Sequence, residues 1–293
     1  VPIPSLHDVL PPGCVVEKVV PRTGGQLSTV LEVRLAGADS LIVKQYADEW
    51  RWKQPKEVHV YRLLERFGVG PAPHVVHVDY ERAVTVLTML PGTPMSEYTL
   101  RPDATRTAYR RIGQIQAALH QITLPAYGYL TTEIVDPVAD NTTYMRRQFA
   151  KKLAEFIALN GPADLHGAVT ARVAADERCL GDCTGAVLCH NDLHEGNVLV
   201  DDAGSVTGFV DVENAVAADP LIDVAKTLQY DLAASPVKRA GLLEGYGPLS
   251  PSGATRLELY RLYHALELWV WFASIGNTQP LPGITDDIRS LAR

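Results

Sequence analysis

The chain has 293 residues, 46% of them hydrophobic and 21% charged, which excludes wholesale disorder and fibrous repeats and leaves room for one large domain or two lobes. A formal net charge of −7 argues against sequence-independent nucleic-acid binding, which needs Lys and Arg to displace phosphate counterions, and would suit a cationic small partner. Cys14, Cys179, Cys183 and Cys189 lack both paired metal spacing and disulfide-scaffold density, so reduced thiols in a cytoplasm are expected, and no apolar run has bilayer-spanning length.

Along the chain, CVVEKVV, STVLEVRLA and SLIVKQY, separated by the turn-forming PRTGG and GADS, predict an antiparallel meander over residues 14–46. KEVHVYRLLERF then follows Pro55, a good first-turn residue. Its Val58, Tyr61, Leu64 and Val60, Leu63, Phe67 recur at helical spacing and predict a helix. HVVHVDY and AVTVLTML add two strands, which PGTPM ends. Residues 1–91 are therefore expected to form a first lobe of five-stranded antiparallel sheet plus helix. Residues 92–293, entered through the Pro- and Gly-bearing connector PGTPMSEYTLRPD, read as a mainly helical second lobe with a strand pair around Val198 and Phe209. The fold class is α+β and bilobed. The aromatic run LYRLYHALELWVWFASI reads as a core helix, with a ligand platform at Trp269 and Trp271 as the alternative.

Chemistry concentrates in HNDLHEGN, His190 to Asn197, which precedes a strand; a hairpin turn at DDAG returns the chain along VTGFVDVEN to Asp211. The hairpin brings Asp211 back beside Asn197. Phosphoryl transfer from ATP needs a carboxylate that orients and deprotonates the attacking hydroxyl, and oxygen ligands that hold magnesium on the phosphates. Asp192, Asn197 and Asp211 supply that set. Two other readings exist: polar turn residues placed for backbone reasons, and a metal hydrolase ligated by the alternating His190, Asp192 and His194, for which no second histidine cluster follows. A nucleotide site also needs a fixed cation, and Lys44 on SLIVKQY, with Glu57 as its helical partner, fits. Gly24 and Gly25 in PRTGGQLST permit close backbone approach to phosphate, and Ser28 or Thr29 can donate hydrogen bonds. An ordinary hairpin turn explains the same glycines, and no GxxxxGK[ST] loop is present.

In these residues the chain resembles the aminoglycoside phosphotransferase and choline kinase superfamily, a branch of the protein-kinase-like fold with an HxDxxxxN loop and a later metal-binding Asp. The resemblance covers nearly the whole chain. It implies a short β-hairpin at the active site, Asp192 as catalytic base, Asn197 and Asp211 as magnesium ligands, and His190 as support for the loop. It also implies Lys44 with Glu57 on the phosphates, and main-chain groups near Thr88 and Leu90 in VTVLTMLPG against adenine. Glu213, Asp219 and Asp223 in VDVENAVAADPLIDVAK would brace the loop and the next helix, Asp219 before Pro220 being equally a plain helix cap. The implied cofactors are ATP, or another nucleoside triphosphate, and Mg2+. The implied partner is a small-molecule hydroxyl compound, with no nucleic acid and no membrane. An aminoglycoside or other antibiotic ranks first, choline or another small metabolite second, and non-catalytic nucleotide binding third. Asn191, where antibiotic kinases often have Gly, and Glu195, where Pro is frequent, keep the choline reading open. Glu195, Asp231, Glu267, Asp286 and Asp287 could meet a polyamine, and Tyr263, Trp269 and Trp271 could cage a quaternary ammonium.

Overall fold

A computed structural model describes residues 6–22, 28–183, 185–229 and 235–293. It divides into two compact units, one made of Val1–Thr99, Leu130–Glu133 and Glu195–Asn214, the other of Leu100–Tyr129, Ile134–His194 and Ala215–Arg293.

In the first unit, β1 (Val16–Arg22), β2 (Ser28–Leu35), β3 (Ala38–Tyr46), β4 (Val75–Asp79) and β5 (Val84–Thr88) form an antiparallel sheet in the order β1-β2-β3-β5-β4. Alternation divides its side chains between two faces. Leu31, Val33, Leu41, Val43, Val84 and Val86 pack with Val9 and Leu10 into one core. Val30, Ile42, Lys44, Thr85 and Leu87 take the alternate positions, with Lys44 opposite Thr85 and Ile42 opposite Leu87. Helix α1 (Lys53–Phe67) covers this second side, where Gln54 Nε2 donates to Thr85 Oγ1 at 3.2 Å and to Val84 O at 2.8 Å. The helix stops at Gly68, whose φ of 64° turns the chain so that its amide reaches Glu65 O and the Val69 amide reaches Leu64 O. The two-residue β6 (Thr93–Pro94) follows.

The second unit begins with α2 (Pro102–Leu119), the short strands β7 (Thr123–Leu124), β8 (Tyr127–Leu130) and β9 (Ile134–Val138), then α3 (Asn141–Ala158), α4 (Ala163–Leu180) and β10 (Ala186–Cys189). The chain returns to the first unit for β11 (Val198–Val200) and β12 (Val206–Phe209), which form a three-stranded sheet with β6 in the order β12-β11-β6. It ends in the second unit with β13 (Val216–Ala218), α5 (Pro220–Gln229), α6 (Pro236–Tyr246), α7 (Pro251–Ser274) and α8 (Leu281–Leu291). This unit is mainly helical, as expected, but it also holds a sheet of order β7-β10-β13-β8-β9 that the sequence did not announce. The strands AVLC and VAA are buried at every position, so they lack the alternation that marks a half-buried strand. No described helix is long and apolar enough to cross a membrane.

Trp269 is buried at 5% exposure and packs at a tilt against Phe156 in the core, whereas Trp271, two residues on, is 46% exposed. In the same unit Asp219 is both brace and cap. Its carboxylate accepts from Leu221 N at 2.8 Å at the start of α5, from Tyr260 OH at 2.7 Å, and pairs with Arg256 Nε at 2.8 Å.

Helices α2 and α6 meet backbone to backbone. A Cβ on Gly245 would lie 1.8 Å from Arg110 O, one on Gly241 2.4 Å from Arg106 O, and one on Gly113 2.2 Å from Leu242 O. Gly167, inside α4, faces open space. Gly245→Ala should therefore destabilise the protein by at least the ~1–3 kcal/mol typical of overpacking. Gly167→Ala should stabilise it by roughly 0.5–1 kcal/mol through helix propensity. Urea unfolding of both variants measures the contrast, and equal effects would contradict the tight helix seam.

Candidate functional site

The β3–α1 step carries the first half of the site. Lys44 is 7% exposed, and its ammonium meets Glu57 Oε1 at 2.9 Å, Asp211 Oδ1 at 3.0 Å and Glu213 Oε2 at 3.0 Å. Burial by itself would lower the Lys44 pKa, but Glu57 first, then Asp211, Tyr46 and Glu213, hold it well above the ordinary lysine value. Burial raises the Glu57 pKa against the pull of Lys44. Tyr46 OH donates to Glu57 Oε2 at 2.5 Å, and Lys53 Nζ bonds Glu213 Oε1 at 3.1 Å and Asn214 Oδ1 at 3.2 Å.

The second half comes from the hairpin. Val198 pairs with Phe209 and Leu199 with Gly208, and the turn closes through Asp201, whose carboxylate accepts from Ala203 N and Ser205 N. At the open end Val210 N donates to Asn197 O at 2.9 Å, so Asn197 and Asp211 lie next to each other, as the DDAG turn required. Asp211 has φ 65°, a left-handed conformation unusual for a residue other than glycine, and its amide donates to Tyr61 OH at 3.0 Å.

Lys44, Glu57, Tyr61, Asn197, Asp211 and Glu213 line one cavity of about 260 Å³ within the first unit. Val30, Ile42, Leu87, Leu199 and Val210 give it apolar walls, and Lys44, Glu57, Asn197, Asp211 and Glu213 supply the polar groups. Ser28, Thr88 and Leu90 line it as well. By the β3 register, Leu41 faces Thr88 three residues from Lys44, so Lys44 and the 88–90 stretch are separated by about 10 Å along the strand. Thr88 N donates to His74 O at 2.9 Å and Met89 N to Ser40 O at 3.3 Å, while the Leu90 amide has no partner among the described residues. Gly24 and Gly25 lie outside the described residues.

Asp192 belongs to the second unit. Its loop hangs on one buried carboxylate: Asp223 Oδ2 accepts from His190 N at 2.9 Å and Oδ1 from Asn191 N at 2.8 Å, with His120 Nε2 also 3.2 Å from Oδ2. Burial would raise the Asp223 pKa, but these hydrogen bonds, His120 foremost, hold it below the usual carboxylate range. Thr227 Oγ1 donates to Leu193 O at 2.9 Å and fixes the loop further along. Asn191 has φ 59°, a conformation that glycine and asparagine both tolerate. Asparagine here therefore meets the same backbone requirement that glycine would. His190, Asp192 and His194 do not form a ligand cluster: among the described residues the acidic, thiol and imidazole groups that converge are Glu57, Asp211 and Glu213, and His120, Cys189 and Asp223. The hydrolase alternative thus lacks its ligand set.

Sequence reasoning missed Lys53, Tyr46 and the hydroxyl of Tyr61 as parts of the site. Helical spacing could have found two of them, since Lys53, Glu57 and Tyr61 stand four residues apart on one face of α1.

The family model described as Phosphotransferase enzyme family matches residues 18–260. No curated protein matches the sequence. Among solved structures, a thermostable mutant of aminoglycoside phosphotransferase APH(4)-Ia in ternary complex with AMP-PNP and hygromycin B aligns with a TM-score of 0.74 at 16% identity, covering 98% of this chain and 96% of that one. The macrolide 2'-phosphotransferase MphH from Brachybacterium faecium aligns at 0.66 and 19%, covering 94% of each chain, and macrolide 2'-phosphotransferase type I at 0.66 and 17%, covering 94% and 92%. At these identities the likeness establishes a shared kinase-like fold. With the family model spanning most of its length, the chain belongs to the phosphotransferase enzyme family.

Proposed function

We propose that this phosphotransferase moves the γ-phosphoryl group of ATP, bound with Mg2+, onto a hydroxyl of an aminoglycoside or other antibiotic. The observation that carries the reading is the buried Lys44–Glu57 pair set beside Asp211 in an apolar-walled cavity. Lys44 would neutralise phosphate charge while Glu57 fixes its position. Main-chain groups of Thr88 and Leu90 would meet the base, and Gly24, Gly25 and Ser28 would approach the phosphates. Nucleotide binding is assigned to residues 1–91 with the hairpin's Asn197 and Asp211, and acceptor binding and base catalysis to the rest of 92–293.

The donor set fits magnesium: the Asn197 amide and the Asp211 carboxylate offer hard oxygens from adjacent ends of one hairpin, and the carboxylates of Glu57, Asp211 and Glu213 converge within 4.8 Å. Bound there, the ion would offset the charge on the phosphates. Asp192 would orient the acceptor hydroxyl and take its proton as oxygen bonds to phosphorus and ADP leaves. The bracing of its loop by Asp223 suits a base that must keep one position.

For the acceptor, the similarity to aminoglycoside and macrolide phosphotransferases and the net charge of −7 favour an antibiotic. The quaternary-ammonium cage finds less support, because Tyr263 and Trp269 are packed in the core while Trp271 is exposed. Among the acidic candidates, Glu267 is tied to Lys226 and His264, Asp286 to Arg289, and Asp287 accepts from Gln229 at 3.4 Å. Glu195 accepts from Ser96 N through its backbone carbonyl, and Asp231 lies outside the described residues.

An ATP-consumption screen across aminoglycosides, macrolides, peptide and nucleoside antibiotics, choline and simple sugars, with the product hydroxyl located by NMR, tests the reading. Turnover of an antibiotic is expected, and turnover of choline alone would replace the acceptor assignment. Asp192→Ala should lower kcat by about 10²- to 10⁴-fold with ATP affinity retained in calorimetry. A near-normal kcat would remove Asp192 from the role of base. Asp211→Ala should abolish most of the gain in nucleotide affinity that magnesium gives over EDTA, and an unchanged gain in calorimetry would remove Asp211 from the role of ligand.

A further inference from the structure

One stripe of α1 addresses the whole turn that follows β12. Lys53, Glu57 and Tyr61, spaced four apart, engage Glu213, Lys44 and Asp211 in that order. Two of these are ion pairs, but the third is of another kind: the Tyr61 hydroxyl accepts the Asp211 main-chain amide at 3.0 Å and leaves the carboxylate free to face Lys44. Tyr61 is 2% exposed and lines the same cavity as Asp211. The bond supports the backbone of Asp211, whose φ of 65° costs energy at a residue other than glycine, although aspartate and asparagine tolerate it better than most. The flanking points are also pinned, by Val210 N on Asn197 O before it and by Lys53 on Glu213 and Asn214 after it. The Tyr61 hydroxyl ties the amide of the left-handed residue itself, while its carboxylate meets Lys44.

We propose that Tyr61 is a positioning residue for Asp211: its hydroxyl locks the left-handed backbone that aims this carboxylate at the metal and phosphate end of the cavity. The inference rests on the reading of Asp211 as a magnesium ligand. Tyr61 touches neither the reacting atoms nor the acceptor in this role; it sets where the oxygen ligand stands, as partners behind a metal ligand do.

The test is Tyr61→Phe, which keeps the ring and removes the acceptor, read by calorimetry of AMP-PNP binding at increasing Mg2+. The midpoint for magnesium should rise by about 10- to 100-fold, with affinity in EDTA unchanged. In an Asp211→Asn background the same substitution should add no further shift. An unmoved midpoint, or equal weakening with and without magnesium, would overturn the inference and make Tyr61 a plain wall of the cavity. Absence of any magnesium midpoint in the wild-type chain would instead overturn the nucleotide-site reading, and the inference with it. If Tyr61→Phe does not fold, amide exchange at Asp211 in the wild-type chain decides: slow exchange is expected, and exchange at the free rate overturns the hydrogen bond on which the inference stands.

Discussion

The arrangement depends on a lysine that is out of water. Taking an ammonium into a protein interior costs several kcal/mol. One contact at about 4 Å returns only about 4 kcal/mol at a realistic effective dielectric, before the partner's own desolvation is counted. A single carboxylate therefore roughly offsets the burial of Lys44. With Glu57, Asp211 and Glu213 all within 3.0 Å, the balance tips and the ammonium stays protonated despite its burial. The second lysine, Lys53, shares Glu213 and keeps the excess of negative charge small. This explains why a strand, a helix and a distant hairpin have to converge: each carries one of the carboxylates or cations that make the others tolerable.

The second unit solves a comparable problem without exposed charge. Asp223 is fully buried, yet it remains ionised because it accepts two main-chain amides and faces His120. Hydrogen bonds to the charged form do there what ion pairs do around Lys44. In both places buried carboxylates fix a backbone or side chain in one position.

Much of this was legible from residue order. Asn197 and Asp211 could be placed together because DDAG is a turn and the residues on either side count out an antiparallel hairpin. Lys44 could be placed because a charged residue after three apolar strand positions must find a partner, and Glu57 lies in the next helix. Other features were hidden by their physics. Strands buried on both sides, such as β10 and β13, carry no alternating signal. Tyr61 looked like a core residue, and by burial it is one; only the hydrogen bond from Asp211 N distinguishes it. The loop's Asn191 takes a left-handed backbone conformation that glycine also takes, so the two residues meet the same local geometry there.

The glycine seam between α2 and α6 has a consequence for how such a chain can change. Where two helices touch through side chains, a larger residue on one can be compensated by a smaller one on the other. At Gly113, Gly241 and Gly245 the nearest opposing atom is a main-chain carbonyl oxygen, which no substitution can shrink. These positions have no compensating partner in sequence space. Variation at any of them can be absorbed only by sliding one helix against the other, so this seam constrains the chain's divergence more tightly than the apolar core, where volumes can be traded.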